Sequence, residues 1–114
     1  MEFKDVLIKR SGIGQFKDGL GVFAKRDFNK GEVVVKWHLQ ILTKEEYEKL
    51  PKEMKQFTHE RHGITYYYPD PERHVNRSKS PNVYPDFEHG ADIALRDIKE
   101  GEELSIQEDL EEDF

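Results

Sequence analysis

One pattern occurs twice in this chain, at the same offset throughout: Ala24-x-Arg26-Asp27-Phe28-x-x-Gly31-Glu32 and Ala94-x-Arg96-Asp97-Ile98-x-x-Gly101-Glu102. Each copy reads as the end of a strand, a charged turn, a glycine and the start of a second strand. Glycine suits such a corner because it reaches backbone conformations that a Cβ forbids. Two copies are too few for a solenoid, whose repeats cover one another's apolar faces by stacking. The pattern therefore predicts two corners built alike, one near each end of a single β-rich unit.

The rest of the chain fits short strands around those corners. Val6 and Ile8 alternate with polar residues, which predicts a first short strand. Residues 11–19 read as loop, since Gly12, Gly14 and Gly19 leave no room for a regular element. Gly21-Val22-Phe23-Ala24 is a buried strand run, and residues 32–42 are strand-like around Trp37. Thr43 and Glu46 form a capping-box pair, with Tyr47, Leu50, Met54 and Phe57 on one helical face. Pro51 cannot sit inside one helix without removing a hydrogen bond, so two short helices are expected, the second with Pro51 in its first turn. Residues 64–68 carry β-favouring Thr65 and three tyrosines, ended by Pro69 and Pro71. Asn76-Arg77-Ser78-Lys79-Ser80-Pro81-Asn82 reads as a loop, because Asn and Ser side chains compete for backbone hydrogen bonds. A turn at 85–90 and strands around 91–95 and 103–106 complete the chain. Val22, Phe23, Val34, Val75, Ile93 and Leu95 are the expected core.

Bulk properties narrow the function. A chain of 114 residues makes one domain with a modest core. We take 4–106 as that core and 107–114 as an acidic tail. Charged residues reach 37% against 35% hydrophobic, so a thin core lies under a charged shell. A formal charge of −6 speaks against nucleic acid, whose phosphates need a basic face, and suits a basic peptide. With no cysteine there are neither disulfides nor thiolate zinc clusters. No stretch has the length and apolarity of a membrane span, so an intracellular, soluble protein is expected, cytoplasmic or, for a viral or effector protein, in a host nucleus. His59 and His62 have metal-ligand spacing but read as the solvated end of a charged helix. His74 and Trp37 read most simply as packed side chains, and no metal is expected.

The segment at 76–82, followed by Ala94-Leu95-Arg96-Asp97-Ile98-Lys99-Glu100-Gly101-Glu102-Glu103-Leu104, resembles the signature of SET-domain methyltransferases. That family carries an Asn-His-Ser-Cys-x-Pro-Asn loop and then R-D-I-x-x-G-E-E-L, in this order and at this separation. Lys17-Asp18-Gly19-Leu20-Gly21-Val22-Phe23-Ala24 is similar to the family's opening G-x-G segment, and SET domains have the same two corners. The likeness covers about residues 4–106, at the length of the short viral and bacterial single-domain members. It implies a mainly β SET fold: short antiparallel strands in small sheets, one or two short helices, and the 76–82 segment threaded beside the C-terminal strand.

The resemblance also implies a chemistry: transfer of a methyl group from S-adenosylmethionine to a lysine of a basic, histone-like protein segment. By position, Asp18, Gly19, Leu20 and Gly21 would hold the cofactor through backbone, Asn76 through its amide, and Arg77, where the family has histidine, through backbone. The lysine would enter from the opposite face. The family's tyrosine, which orients methyl group and amine, falls at Glu108. A carboxylate there would hold an incoming lysine as ammonium, whereas transfer needs the neutral amine. Substitutes would have to come from Tyr66, Tyr67, Tyr68 or Tyr84. Two functions follow: a SET-type lysine methyltransferase, or a degenerate SET module that binds cofactor or peptide without turnover.

Overall fold

The computed structural model describes residues 3–13 and 19–107. Among the described residues, ten short strands form four small sheets. β1 (Val6–Arg10) pairs antiparallel with β2 (Leu20–Ala24). β3 (Val33–Lys36), β9 (Ala91–Ala94) and β8 (Val83–Asp86) form an antiparallel sheet with β9 in the middle. β4 (Gln40–Leu42), β6 (Ile64–Tyr67) and β5 (Thr58–Arg61) form another. β7 (Asn76–Ser78) and β10 (Ser105–Gln107) pair in parallel. The mainly β, SET-like architecture expected from the sequence is the one observed.

The repeated pattern is a reciprocal clasp. Phe28 and Ile98 exchange both backbone hydrogen bonds at 2.8 Å. Gly31 N–H donates to Ala94 O at 2.9 Å, and Gly101 N–H to Ala24 O at 2.8 Å. Asp97 accepts from Lys30 N–H, and Asp27 from Glu100 N–H. Within each copy the arginine reaches the glutamate six residues on, Arg26 to Glu32 and Arg96 to Glu102. Gly31 and Gly101 have φ of 91° and 93°, which is why each corner holds glycine. Each corner thus satisfies the other's backbone groups, and Phe28 and Ile98 lie fully buried between them. Around them pack Val6, Val22, Val34, Val75, Val83 and Leu104.

Several expectations are corrected. Leu95 is 39% exposed rather than core, because it stands beyond β9 on the outer face with Val33 and Tyr84. Residues 32–42 are not continuous: the chain bends at 37–39, where Trp37 turns into an aromatic cluster, and so gives β3 and β4. Asn76–Ser78 is strand rather than loop, its backbone groups taken by β10. His59 and His62 are not at a helix end. His59 lies in β5, and His62 with Gly63 forms a two-residue hairpin turn whose positive φ values, 53° and 78°, match strand twist. The capping box is as expected, with α1 spanning Lys44–Lys49. The second helix is a 3-10 segment, Lys52–Phe57, which buries Phe57, whereas α1 buries no residue. No helix among the described residues is long and apolar enough to cross a membrane.

Candidate functional site

The β7–β10 pair divides two compartments. Asn76 and Ser105 are register partners, as are Arg77 and Ile106, and side chains alternate across a strand. One side belongs to Asn76. Its amide nitrogen donates to Ser11 Oγ at 2.9 Å, Leu20 O at 3.0 Å and Glu103 Oε2 at 3.1 Å. Its Oδ1 is buried with no hydrogen-bond partner among the described residues. Buried carbonyl oxygens are rarely left so.

Glu103 organises this side. Its carboxylate also accepts from Ser11 Oγ at 2.6 Å and from Gly12 N–H at 2.9 Å, so it joins the 11–12 loop to Asn76. A Cβ on Gly21 would come within 2.3 Å of Glu103 Oε2, so glycine at 21 makes room for the carboxylate. Gly19, in contrast, has a positive φ of 68°, and no atom of the described residues lies within 4 Å of where a Cβ would stand. Leu20 O faces the Asn76 amide. The threaded segment closes the arrangement: Asn82 Nδ2 donates to Glu103 O, and Ser105 N–H donates to Asn82 Oδ1, both at 2.9 Å. Asp18 and Glu108 lie outside the described residues.

On the other side of the β7–β10 pair is a cavity of about 420 Å³. Arg77 and Ile106 line it from that pair, Phe57 and His59 from the helix and hairpin, and Trp37 and Tyr68 from the aromatic cluster. Trp37 stacks on Tyr68 with centroids 6.4 Å apart and meets Phe87 edge-on at 4.8 Å. Two buried carboxylates, Asp92 and Glu72, also line it. Burial pushes Asp92 up to about 7, with Glu72 adding to the shift and a hydrogen bond from Trp37 opposing it. Burial also raises Glu72, against hydrogen bonds from His38, whose backbone N–H donates to Oε2.

The tyrosines separate. Tyr68 lines the cavity. Tyr84 stands on the outer face of its sheet, in register with Ile93, while its neighbour Pro85 lines the cavity. Tyr66 faces Ile41 and His59 across the hairpin sheet, and Tyr67 accepts a hydrogen bond from Arg73 through its hydroxyl. His74, read as packed, is buried, with Nε2 3.0 Å from Asp70.

The sequence matches the SET domain family over residues 19–107. The chain belongs to the SET family. No curated protein is detectably similar to it in sequence. Among solved structures, this SET domain resembles a Plasmodium falciparum protein provisionally assigned as a histone methyltransferase. That likeness has TM-score 0.73 and 19% identity, over 96% of this chain and 97% of the other. It also resembles part of a humanized mutant Polycomb Repressive Complex 2 from Chaetomium thermophilum, bound to an inhibitor. There the TM-score is 0.67 at 24% identity, over 91% of this chain and 15% of that one. At such identities the likeness is one of fold.

Sequence reasoning missed Glu103, Ser11 and the two cavity acids. Asp92 gave the one available signal, a charge inside the apolar run Ala91-Asp92-Ile93-Ala94. A charged residue on a buried strand wants a reason.

Proposed function

We propose that this SET domain is an S-adenosylmethionine-dependent protein-lysine N-methyltransferase acting on a basic protein segment. The observation that carries this reading is the buried Oδ1 of Asn76, an acceptor without a donor among the described residues, on a side chain whose amide nitrogen donates to Leu20 O. A cofactor that presents an ammonium group to that compartment fits it. Gly19 and Leu20 would hold it through main chain, Asn76 through its amide oxygen, and Arg77 through backbone. Gly21 serves by admitting Glu103, and Asp18 completes the set expected from the family likeness. The cofactor supplies an activated methyl group. The chain must supply alignment and a dry path for the amine, and the cavity across the β7–β10 pair is a route from the opposite face.

A second reading rests on one residue. By the family likeness in sequence, Glu108 falls where the family has its tyrosine, and a carboxylate there would favour the ammonium form. That favours a degenerate module that binds cofactor or peptide without transfer. Transfer of labelled methyl groups to histones by the wild type and by Glu108→Tyr separates the readings. The methyltransferase reading expects incorporation above background for the wild type. No incorporation by either protein, with cofactor binding demonstrated, would leave the binding module.

A further inference from the structure

The side-chain amide of Asn76 has two ends, and the described residues supply partners for one of them. Nδ2 faces three acceptors: Ser11 Oγ at 2.9 Å, Leu20 O at 3.0 Å and Glu103 Oε2 at 3.1 Å. Oδ1 has no donor among the described residues, although Asn76 is wholly buried. A flipped amide would turn its oxygen toward Leu20 O and a carboxylate oxygen, neither of which can donate. Ser11 cannot rescue that arrangement, because its one hydroxyl proton goes to Glu103 Oε2 at 2.6 Å. Glu103 is what commits both neighbours. Its Oε1 accepts from Gly12 N–H at 2.9 Å, so the carboxylate is anchored at one oxygen and turns the other to Ser11 and Asn76. The backbone makes room for it, since a Cβ on Gly21 would stand 2.3 Å from Oε2 and 3.0 Å from Ser11 Cβ. An amide oxygen left buried without a donor costs free energy, and a ligand that brings a donor recovers it.

We propose that Glu103 is a positioning residue: it sets the direction of the Asn76 amide and so makes this compartment selective for a ligand that carries an ammonium group. The inference rests on reading the compartment as the cofactor side of the proposed methyltransferase, and it names the residue that gives that side its selectivity. Glu103 acts through Asn76, not on the reacting atoms. It works on the Asn76 side of the β7–β10 pair, whereas the acceptor amine is read into the cavity on the other side.

The test measures binding by calorimetry with two ligands, S-adenosylhomocysteine and the analogue in which hydrogen replaces its amino group. Neither carries a transferable methyl group, so the result is independent of turnover. The wild type should prefer the aminated ligand about tenfold or more, the worth of a hydrogen bond from a charged donor. Glu103→Gln keeps the shape but cannot offer acceptors to Gly12, Ser11 and Asn76 together, so the amide loses its fixed direction. The preference should fall to about twofold or less, with affinity for the analogue nearly unchanged. Gly21→Ala leaves Glu103 in the chain and displaces its carboxylate, and it should act in the same way, so the test does not depend on one variant folding. A merely structural role would weaken both ligands alike. Equal weakening of the two ligands, a preference retained in either variant, or a wild type that binds both ligands equally would overturn the proposal while leaving the cofactor reading in place. A wild type that binds neither ligand would overturn that reading as well.

Discussion

At the scale of single residues, two acids shape the two compartments in opposite ways. Glu103 is surrounded by donors: Ser11, Gly12 and Asn76 all give it hydrogen bonds. Asp92 has burial and a neighbouring acid instead, and its carboxyl is raised to about 7. That difference has a stability consequence. A carboxyl whose folded value lies above its unfolded value near 3.8 keeps its proton longer in the native state. Native protein then binds more protons between about pH 4 and 7, and stability falls as pH rises through that window. The penalty is fully present above 7 and is on the order of 4 kcal/mol for an isolated group. Asp92→Asn keeps the shape and removes the charge. Urea unfolding should therefore find the variant more stable than the wild type at pH 8, by a margin that shrinks toward pH 5. A margin that grows toward pH 5 would mean the carboxylate is stabilised in place.

At the scale of elements, the corners are what the sequence announced most clearly. Their repetition is a local pattern, and it survives into three dimensions as matched hydrogen bonds between the copies. The capping box at Thr43 was legible for the same reason, since it needs only residues three apart. What could not be read depends on distant partners. Leu95 belongs to an apolar run, but whether it is covered depends on what packs over its end of the face, and there it stays 39% exposed while Ile93 is buried. His59 sits in the charged run Thr58–Arg61, which looks helical until the His62-Gly63 turn folds it onto β6. Glu103 reads as one more solvated acid until Ser11 and Asn76 arrive from 92 and 27 residues away. The corners carry a prediction of their own. Phe28→Ala and Ile98→Ala should each cost about 2–5 kcal/mol, as truncated core residues do. Because the two residues are bridge partners, the double variant should lose less than the sum of the singles. Denaturant titration of the four proteins gives the coupling directly. Strict additivity would mean that the two corners do not support each other.

At the scale of the whole molecule, the account is one of two compartments back to back on a single parallel strand pair. Asn76 and its polar network hold one side, and the aromatic and acidic cavity occupies the other. Family membership made the first side legible, since Gly19 and Asn76 stand in the recognisable segments. The second side is assembled from several separate stretches of chain, from Trp37 to Ile106, and no local motif announces it. The measurement that tests the central claim most directly is an amide-shift titration of the full chain with S-adenosylmethionine. The account predicts changes concentrated at residues 19–24, 76–78 and 103, with the strands β4 and β5 and α1 unmoved. Shifts spread evenly over the chain, or none at millimolar ligand, would contradict it.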